Sequence, residues 1–282
     1  MRKSEQKIEH SLAKQRDAAL RHAVLTYYKT AGRHTLPWRE TSDPYHILVS
    51  EVMLQQTQVD RVIPKYRAFI ERFPSFLVLA QAPLRDVLVA WQGLGYNRRA
   101  KMLHACAQSV CDQYGGQLPH IETVLRNLPG IGAYTAAAIQ AFAYNTAVAL
   151  IETNVRTVYI HHYYPEETDI SDAMLTPIIA RTVDRDNPRH WYYALMDYGS
   201  HLKRTIGNKN IQSKHYAKQS SFTGSDRQIR GAIIRILGEG AVSRARLHRE
   251  LPFEDIRIDA QLERLMSEGM IEMVRRSYQL PA

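Results

Sequence analysis

The chain holds only two cysteines in 282 residues. Cys106 and Cys111 lie five positions apart in a stretch of helical periodicity, so they do not share a face. This excludes a disulfide framework. Two thiolates also cannot hold an iron–sulfur cluster that needs four. They read as free core or surface thiols. No apolar run approaches the roughly 18 residues of a membrane span. Internal repeats and low-complexity tracts are absent. Up to about residue 205 there is no alternating pattern of strand length, which excludes a sheet-built body there.

Acidic residues are also in deficit, 28 against 37 basic ones, for a net charge of +9. That balance favours a polyanionic partner, although a merely basic soluble protein would show it too. The N-terminal residues Met1-Arg-Lys-Ser-Glu-Gln-Lys7 lead into no apolar signal core. The expectation is a cytoplasmic protein, nucleoid-associated if it binds DNA. Hydrophobic content of 45% and charged content of 23% fit a soluble globular chain, long enough for two domains.

The apolar spacing predicts helices over 7–31, 44–55, 58–72, 76–81, 84–91, 97–114, 120–128, 134–143, 154–164, 172–183 and 188–203. Asp43-Pro44 supplies an N-cap and a first-position proline. Gly115-Gly116 ends the helix before it. Residues 1–205 therefore read as an all-α core and 206–225 as a basic polar linker. Residues 226–282 fit helices at 226–238, 243–250 and 255–268, then a two-strand wing, so they resemble a winged-helix module.

Three stretches can carry chemistry. In Leu128-Pro-Gly-Ile-Gly132 two glycines bracket one apolar residue before a helix of small residues that includes Ala133, Tyr134 and Thr135. Glycines allow a tight turn and a close approach to a ligand. A helix N-terminus behind them favours an anion such as a phosphate. An ordinary helix-turn-helix corner would look the same. In Ser50-Glu-Val-Met-Leu-Gln-Gln-Thr57, Glu51 has the apolar neighbours Leu48, Met53 and Leu54. A half-buried carboxyl there should have a raised pKa and could serve as a general acid, unless it is a surface or capping glutamate. Long amides such as Gln55 and Gln56 can wedge into a base stack. In Ala149-Leu-Ile-Glu-Thr-Asn-Val-Arg156, Glu152 precedes a helix whose N-terminus stabilises negative charge; a plain helix cap is the alternative. An ionised carboxylate paired with a protonated one is the arrangement that cleaves glycosidic bonds.

Leu36-Pro-Trp-Arg39, Ser50-Glu-Val-Met-Leu-Gln-Gln-Thr-Gln-Val59, Trp91-Gln-Gly-Leu-Gly-Tyr96, Leu128-Pro-Gly-Ile-Gly132, Asn154-Val-Arg156 and Met196-Asp-Tyr-Gly199 follow one another in fixed order. Together, over about residues 24–204, they resemble the helix-hairpin-helix DNA glycosylases, and among them the adenine DNA glycosylases of the MutY type. The resemblance implies a two-lobed helical core that holds mismatched or damaged double-stranded DNA in a groove and flips one nucleotide into a pocket. It implies that Glu51 protonates the leaving base and that Glu152 stabilises the sugar cation, with Asn154 and Tyr134 shaping the site. It implies DNA contacts from Gln55, Gln56, Tyr96, Arg39 and the hairpin residues Leu128, Gly130, Gly132, Ala133 and Thr135. A structural Na+ or K+ on carbonyls near Leu128 and Ile131 often helps such a hairpin. Tyr134 stands where bifunctional relatives carry a lysine, so the expectation is a monofunctional hydrolase.

Three departures accompany the match. Glu152 replaces the family's aspartate, which could shift the carboxylate by about an ångström. The four-cysteine motif that usually follows Met-Asp-Leu-Gly is missing, so no iron–sulfur cofactor is expected. Lys203, Arg204, Lys209, Lys214 and Lys218 could contact phosphate in its place or simply be a solvated linker. The large C-terminal domain that reads 8-oxoguanine is replaced by residues 226–282, whose arginines favour DNA over a protein partner. The expected activity is removal of adenine opposite 8-oxoguanine or guanine by a monomer. A thymine or uracil glycosylase acting opposite guanine, or a DNA-binding protein with lost catalysis, are the alternatives. His161-His162 point different ways on a helix, which argues against a metal site. Trp191-Tyr192-Tyr193 and Tyr163-Tyr164 read as core.

Overall fold

A computed structural model describes residues 2–219 and 221–282, with side chains from residue 10 onward. In chain order, α1 is Arg2–Ala31, followed by a 3-10 turn at Pro37–Arg39. Then come α2 (Pro44–Leu54), α3 (Val59–Arg72), α4 (Phe76–Gln81), α5 (Leu84–Ala90), α6 (Arg98–Tyr114) and α7 (Glu122–Leu125). They are followed by α8 (Ala133–Phe142), α9 (Thr153–Tyr163), α10 (Asp172–Thr182) and α11 (Pro188–Thr205). A 3-10 turn at Lys209–Gln212 leads to α12 (Asp226–Glu239), β1 (Val242–Ser243), α13 (Arg244–Glu250), α14 (Asp255–Ser267), β2 (Glu272–Val274) and β3 (Ser277–Gln279).

Local chemistry sets these boundaries. The Asp43 carboxylate accepts the Tyr45 and His46 amides at 2.7 and 3.3 Å and starts α2 at Pro44. Gly115, at φ 59°, ends α6 in the left-handed conformation. The helix expected over 120–128 shrinks to one turn. Asn127 and Leu128 bond back three residues, to Val124 and Leu125, so the chain tightens before Pro129.

The helices gather into two compact units, Met1–Ser42 with Ala133–Lys218, and Asp43–Gly132 with Gln219–Ala282. The first is built on α9 against α11, with Val155, Val158, Tyr159, Trp191, Tyr192 and Leu195 buried. The aromatic run at 191–193 is therefore core, and Phe142 stacks on Tyr193 at 4.8 Å. The second is built on α4 and α5 against α6, with Phe69, Leu79, Leu88, Trp91 and Leu103 buried.

Two expectations are corrected. The polar stretch after residue 206 is held in a fixed turn in its first half, although most of its side chains stay exposed. Asn210 is buried and its amide reaches Thr153 O at 2.8 Å and Thr157 Oγ1 at 2.7 Å, while Ile170 N donates to Gln212 O at 2.9 Å. Hydrogen bonds, not apolar burial, fix this segment, so hydropathy gives no sign of it. The C-terminal sheet has three strands in the order β1-β3-β2, not two. The extra strand, Val242–Ser243, precedes α13 because the Ser243 hydroxyl accepts the Arg246 amide and caps that helix. This segment packs within the second unit. Arg85 donates from its backbone to Pro281 O and from its guanidinium to Gly238 O, both at 3.1 Å.

Candidate active site

Glu51 is 5% exposed on α2, among the buried side chains of Leu48, Val52 and Met53. One turn later α2 ends. Gln56 then takes φ 56°, and across the unit Tyr96 takes φ 47°. Both are left-handed conformations that non-glycine residues hold only when their surroundings enforce them. Arg99 does part of that enforcing. Its guanidinium donates to Val52 O, Met53 O and Gln55 O at 2.7, 2.9 and 2.6 Å, and to Leu94 O and Gly95 O at 3.2 and 3.0 Å. One cation thus satisfies the open end of α2 and ties it to the turn before Tyr96. Burial pushes the Arg99 pKa down to about 10, against the Tyr96 contribution, so the group stays charged at neutral pH.

A cavity of about 380 Å³ opens within this unit. Leu48, Val52, Gln55 and Gln56 line it from α2 and its end, Tyr96 and Met102 from and before α6, and Pro129–Ile131 from the hairpin. Arg227 and Arg230 of α12 complete it. The two amides, the tyrosine and the hairpin singled out by sequence are therefore brought together. The C-terminal arginines beside them were not expected at this position.

In the hairpin, Gly130 is required twice. Its φ is +75°, and a Cβ there would lie 2.7 Å from Met102 Cβ. Gly132 has neither constraint. Its backbone is not left-handed and an added Cβ would meet nothing within 4 Å. Leu128 and Ile131 are buried, while Gly132 and Ala133 are exposed where the chain runs into α8. Thr135 is 2% exposed, so its side chain is buried within the fold. Tyr134 is half-buried.

Glu152 caps α9 in the other unit. Its Oε1 accepts the amides of Asn154 and Val155 at 2.7 and 2.9 Å. Its Oε2 accepts Thr153 Oγ1 and Asn154 Nδ2 at 3.0 and 3.3 Å. Capping leaves the carboxylate only half-buried. Two neighbours hold the turn that carries it. Asn210 grips its carbonyl at Thr153, as above. Gly199 of α11 passes so close to Asn154 that it has no room for a side chain. Burial lowers the pKa of Lys203, on the same helix, while the Glu152 charge raises it.

Arg39 lies in the first unit. Its side chain is 4% exposed and grips Asp197 at 2.8 and 3.0 Å, and its guanidinium lies 4.5 Å from the Tyr193 ring centroid. The Arg33 amide and Nε bind the same carboxylate, each at 2.7 Å. Burial alone would raise the Asp197 pKa, but Arg39 and then Arg33 hold it below the ordinary value. This buried ion pair ties the 3-10 turn at Pro37–Arg39 to α11. Sequence reasoning passed over Arg99, Asn210 and Gly199 as individual residues. Only Arg99 carried a signal: two arginines open α6, where the helix dipole disfavours cations, so one of them needed another partner.

The model of the HhH-GPD superfamily of base excision DNA repair proteins matches residues 49–187. The chain is 34% identical over 271 residues to an adenine DNA glycosylase of Mycolicibacterium smegmatis, covering 88% of this chain and 91% of that protein. The chain belongs to this superfamily. It is also 35% identical over 181 residues to an adenine DNA glycosylase of Buchnera aphidicola, where the match spans 63% of this chain and about half, 51%, of the relative. Among solved structures it resembles a thermostable thymine-DNA glycosylase, with a TM-score of 0.61 and 25% identity over 70% of this chain and 91% of that one.

Proposed function

We propose that this superfamily member is a DNA N-glycosylase that removes adenine mispaired with 8-oxoguanine or guanine. Glu51 is the general acid. It protonates a ring nitrogen of the leaving base, and the bond to the sugar breaks with its electron pair moving onto the base. Glu152 stabilises the sugar cation until water adds. Asn154 holds the Glu152 carboxylate, and Tyr134 faces the flipped nucleotide. The observation that carries the reading is a buried glutamate on the helix whose end places Gln55 and Gln56 in the cavity wall, in a chain that spans nine-tenths of an adenine glycosylase.

The hydrolytic, lyase-free character rests on Tyr134, because a phenol forms no Schiff base. DNA is the partner, its phosphates approaching the exposed backbone at Gly132 and Ala133, where nothing within the described protein demands a glycine. A monovalent cation would take the carbonyls near Leu128 and Ile131. Leu128 O already accepts Ile131 N at 3.2 Å, which aligns it in the turn. The chain's two cysteines, both on α6, fall short of the four thiolates a cluster needs, so the enzyme works without one. Its purified form should lack cluster absorbance.

A second reading, excision of thymine or uracil opposite guanine, is favoured by the thymine-DNA glycosylase likeness. A duplex panel separates the two: adenine opposite 8-oxoguanine and guanine, and thymine and uracil opposite guanine. Alkali-labile sites confined to the adenine duplexes are expected. Cleavage only of the pyrimidine mispairs supports the second reading. Strand breaks without alkali contradict the monofunctional assignment, and tight binding without excision anywhere supports a binding protein.

A further inference from the structure

Tyr96 is gripped by residues from the far end of the chain. Its phenolic oxygen accepts hydrogen bonds from Gln219 Nε2 at 2.6 Å and from the Arg227 guanidinium. The same guanidinium lies over the Tyr96 ring, 4.8 Å from its centroid, and 5.9 Å from that of Phe222. Gln219 also reaches Gln56 Oε1 at 3.5 Å. Tyr96 and Gln56 are the non-glycine residues lining the cavity that have left-handed backbones. Arg99 constrains both from beneath, through α2 and the Leu94–Gly95 turn. The C-terminal pair constrains them through their side chains.

We propose that Arg227 and Gln219 are positioning residues. They fix Tyr96 and Gln56 in the pose that engages the base stack of a mispaired duplex, so the C-terminal segment belongs to the DNA-reading site and is not an independent module. This rests on the proposed DNA substrate but not on which base is excised. A cation committed to a phenol oxygen and a ring face is placed to orient that ring. A phosphate ligand would need those N–H groups free.

The test uses the full chain and a duplex carrying 2-aminopurine beside the mispair, whose fluorescence rises when it is unstacked. Dissociation constants are measured at several salt concentrations. Arg227→Leu and Tyr96→Phe should each weaken both binding and the fluorescence rise, by about five- to tenfold. The double variant should be no worse than the poorer single one, because both remove one interaction. Arg227→Lys should behave like Arg227→Leu, since an ammonium cannot reproduce the fork over the ring. The slope of log affinity against log salt should not change. A slope reduced by about 0.9, with the Arg227→Leu effect intact in the Tyr96→Phe background, would make Arg227 a phosphate ligand and overturn the proposal. Unchanged fluorescence in every variant would overturn it too. Gln219 is exposed, so Gln219→Ala keeps the test open if an arginine variant unfolds, and a smaller loss of the same kind is expected. Wild-type protein that fails to bind the duplex would instead sink the DNA reading itself.

Discussion

A methyl group on Gly199 would lie 2.3 Å from the carbonyl oxygen of Asn154 and 2.8 Å from its Cβ. The glycine thus sets how closely α11 approaches the first turn of α9, the turn that Glu152 caps. By intrinsic propensity Gly199→Ala should stabilise α11 by about 1 kcal/mol. The contact reverses that sign. The variant should be less stable by roughly 1–3 kcal/mol, as overpacked sites are. Its excision rate should fall further than its stability explains, since a carboxylate moved by about an ångström can lose on the order of a hundredfold. Denaturant titration and single-turnover excision on the same preparation check both parts.

Arg99 should be the least replaceable arginine of the second unit. Arg99→Gln leaves buried carbonyls at the end of α2 unsatisfied, each worth about 1–3 kcal/mol. A loss of several kcal/mol is expected by urea unfolding. Arg99→Lys should recover only part of it, because three donors cannot serve the acceptors the guanidinium spans.

Much of this was legible from residues alone. The helices from 44 to 114 and the cap at Asp43 follow from apolar period and cap chemistry, which act locally. Glu51, Gln55, Gln56 and Tyr96 were recognisable because their motifs are contiguous. Asp197 and Arg39 show the limit. Each sat in a motif, yet which arginine faces the carboxylate and which faces solvent depends on packing between α1, α11 and the 3-10 turn at Pro37–Arg39. The role of Arg227 was less legible still. It is separated from Tyr96 by 131 positions, and no local signal reports such a pairing.

Two limbs should appear in the pH dependence of stability. Asp197 has a lowered pKa in the folded state, so it contributes stability above its ordinary value of 3.8, lost as pH falls through the folded value. Burial, helped by His161, pushes His162 down to about 4, so its folded form is neutral. It contributes stability above its ordinary value of 6.5 that is lost as pH falls from there towards 4. Chemical unfolding between pH 7 and 3 should show both. His162→Gln should flatten only the limb between about 6.5 and 4, and an unchanged profile would refute the assignment.

Glu152→Asp separates capping from chemistry. Aspartate is as good an N-cap, so α9 and the unfolding midpoint should hold. The bonds from Thr153 and Asn154 to Oε2 fit the longer side chain. The rate should therefore drop by about ten- to a hundredfold, not rise. Circular dichroism and single-turnover excision report the two sides. A faster enzyme would mean that glutamate is the weaker residue here.

The most direct measurement is single-turnover excision of adenine opposite 8-oxoguanine by wild-type protein and by Glu51→Gln. The isosteric amide cannot donate the proton, so the excision step should slow by at least about a hundredfold, while duplex affinity and thermal stability stay close to wild type. Excision by Glu51→Gln at the wild-type rate would contradict the assignment of Glu51 as the general acid.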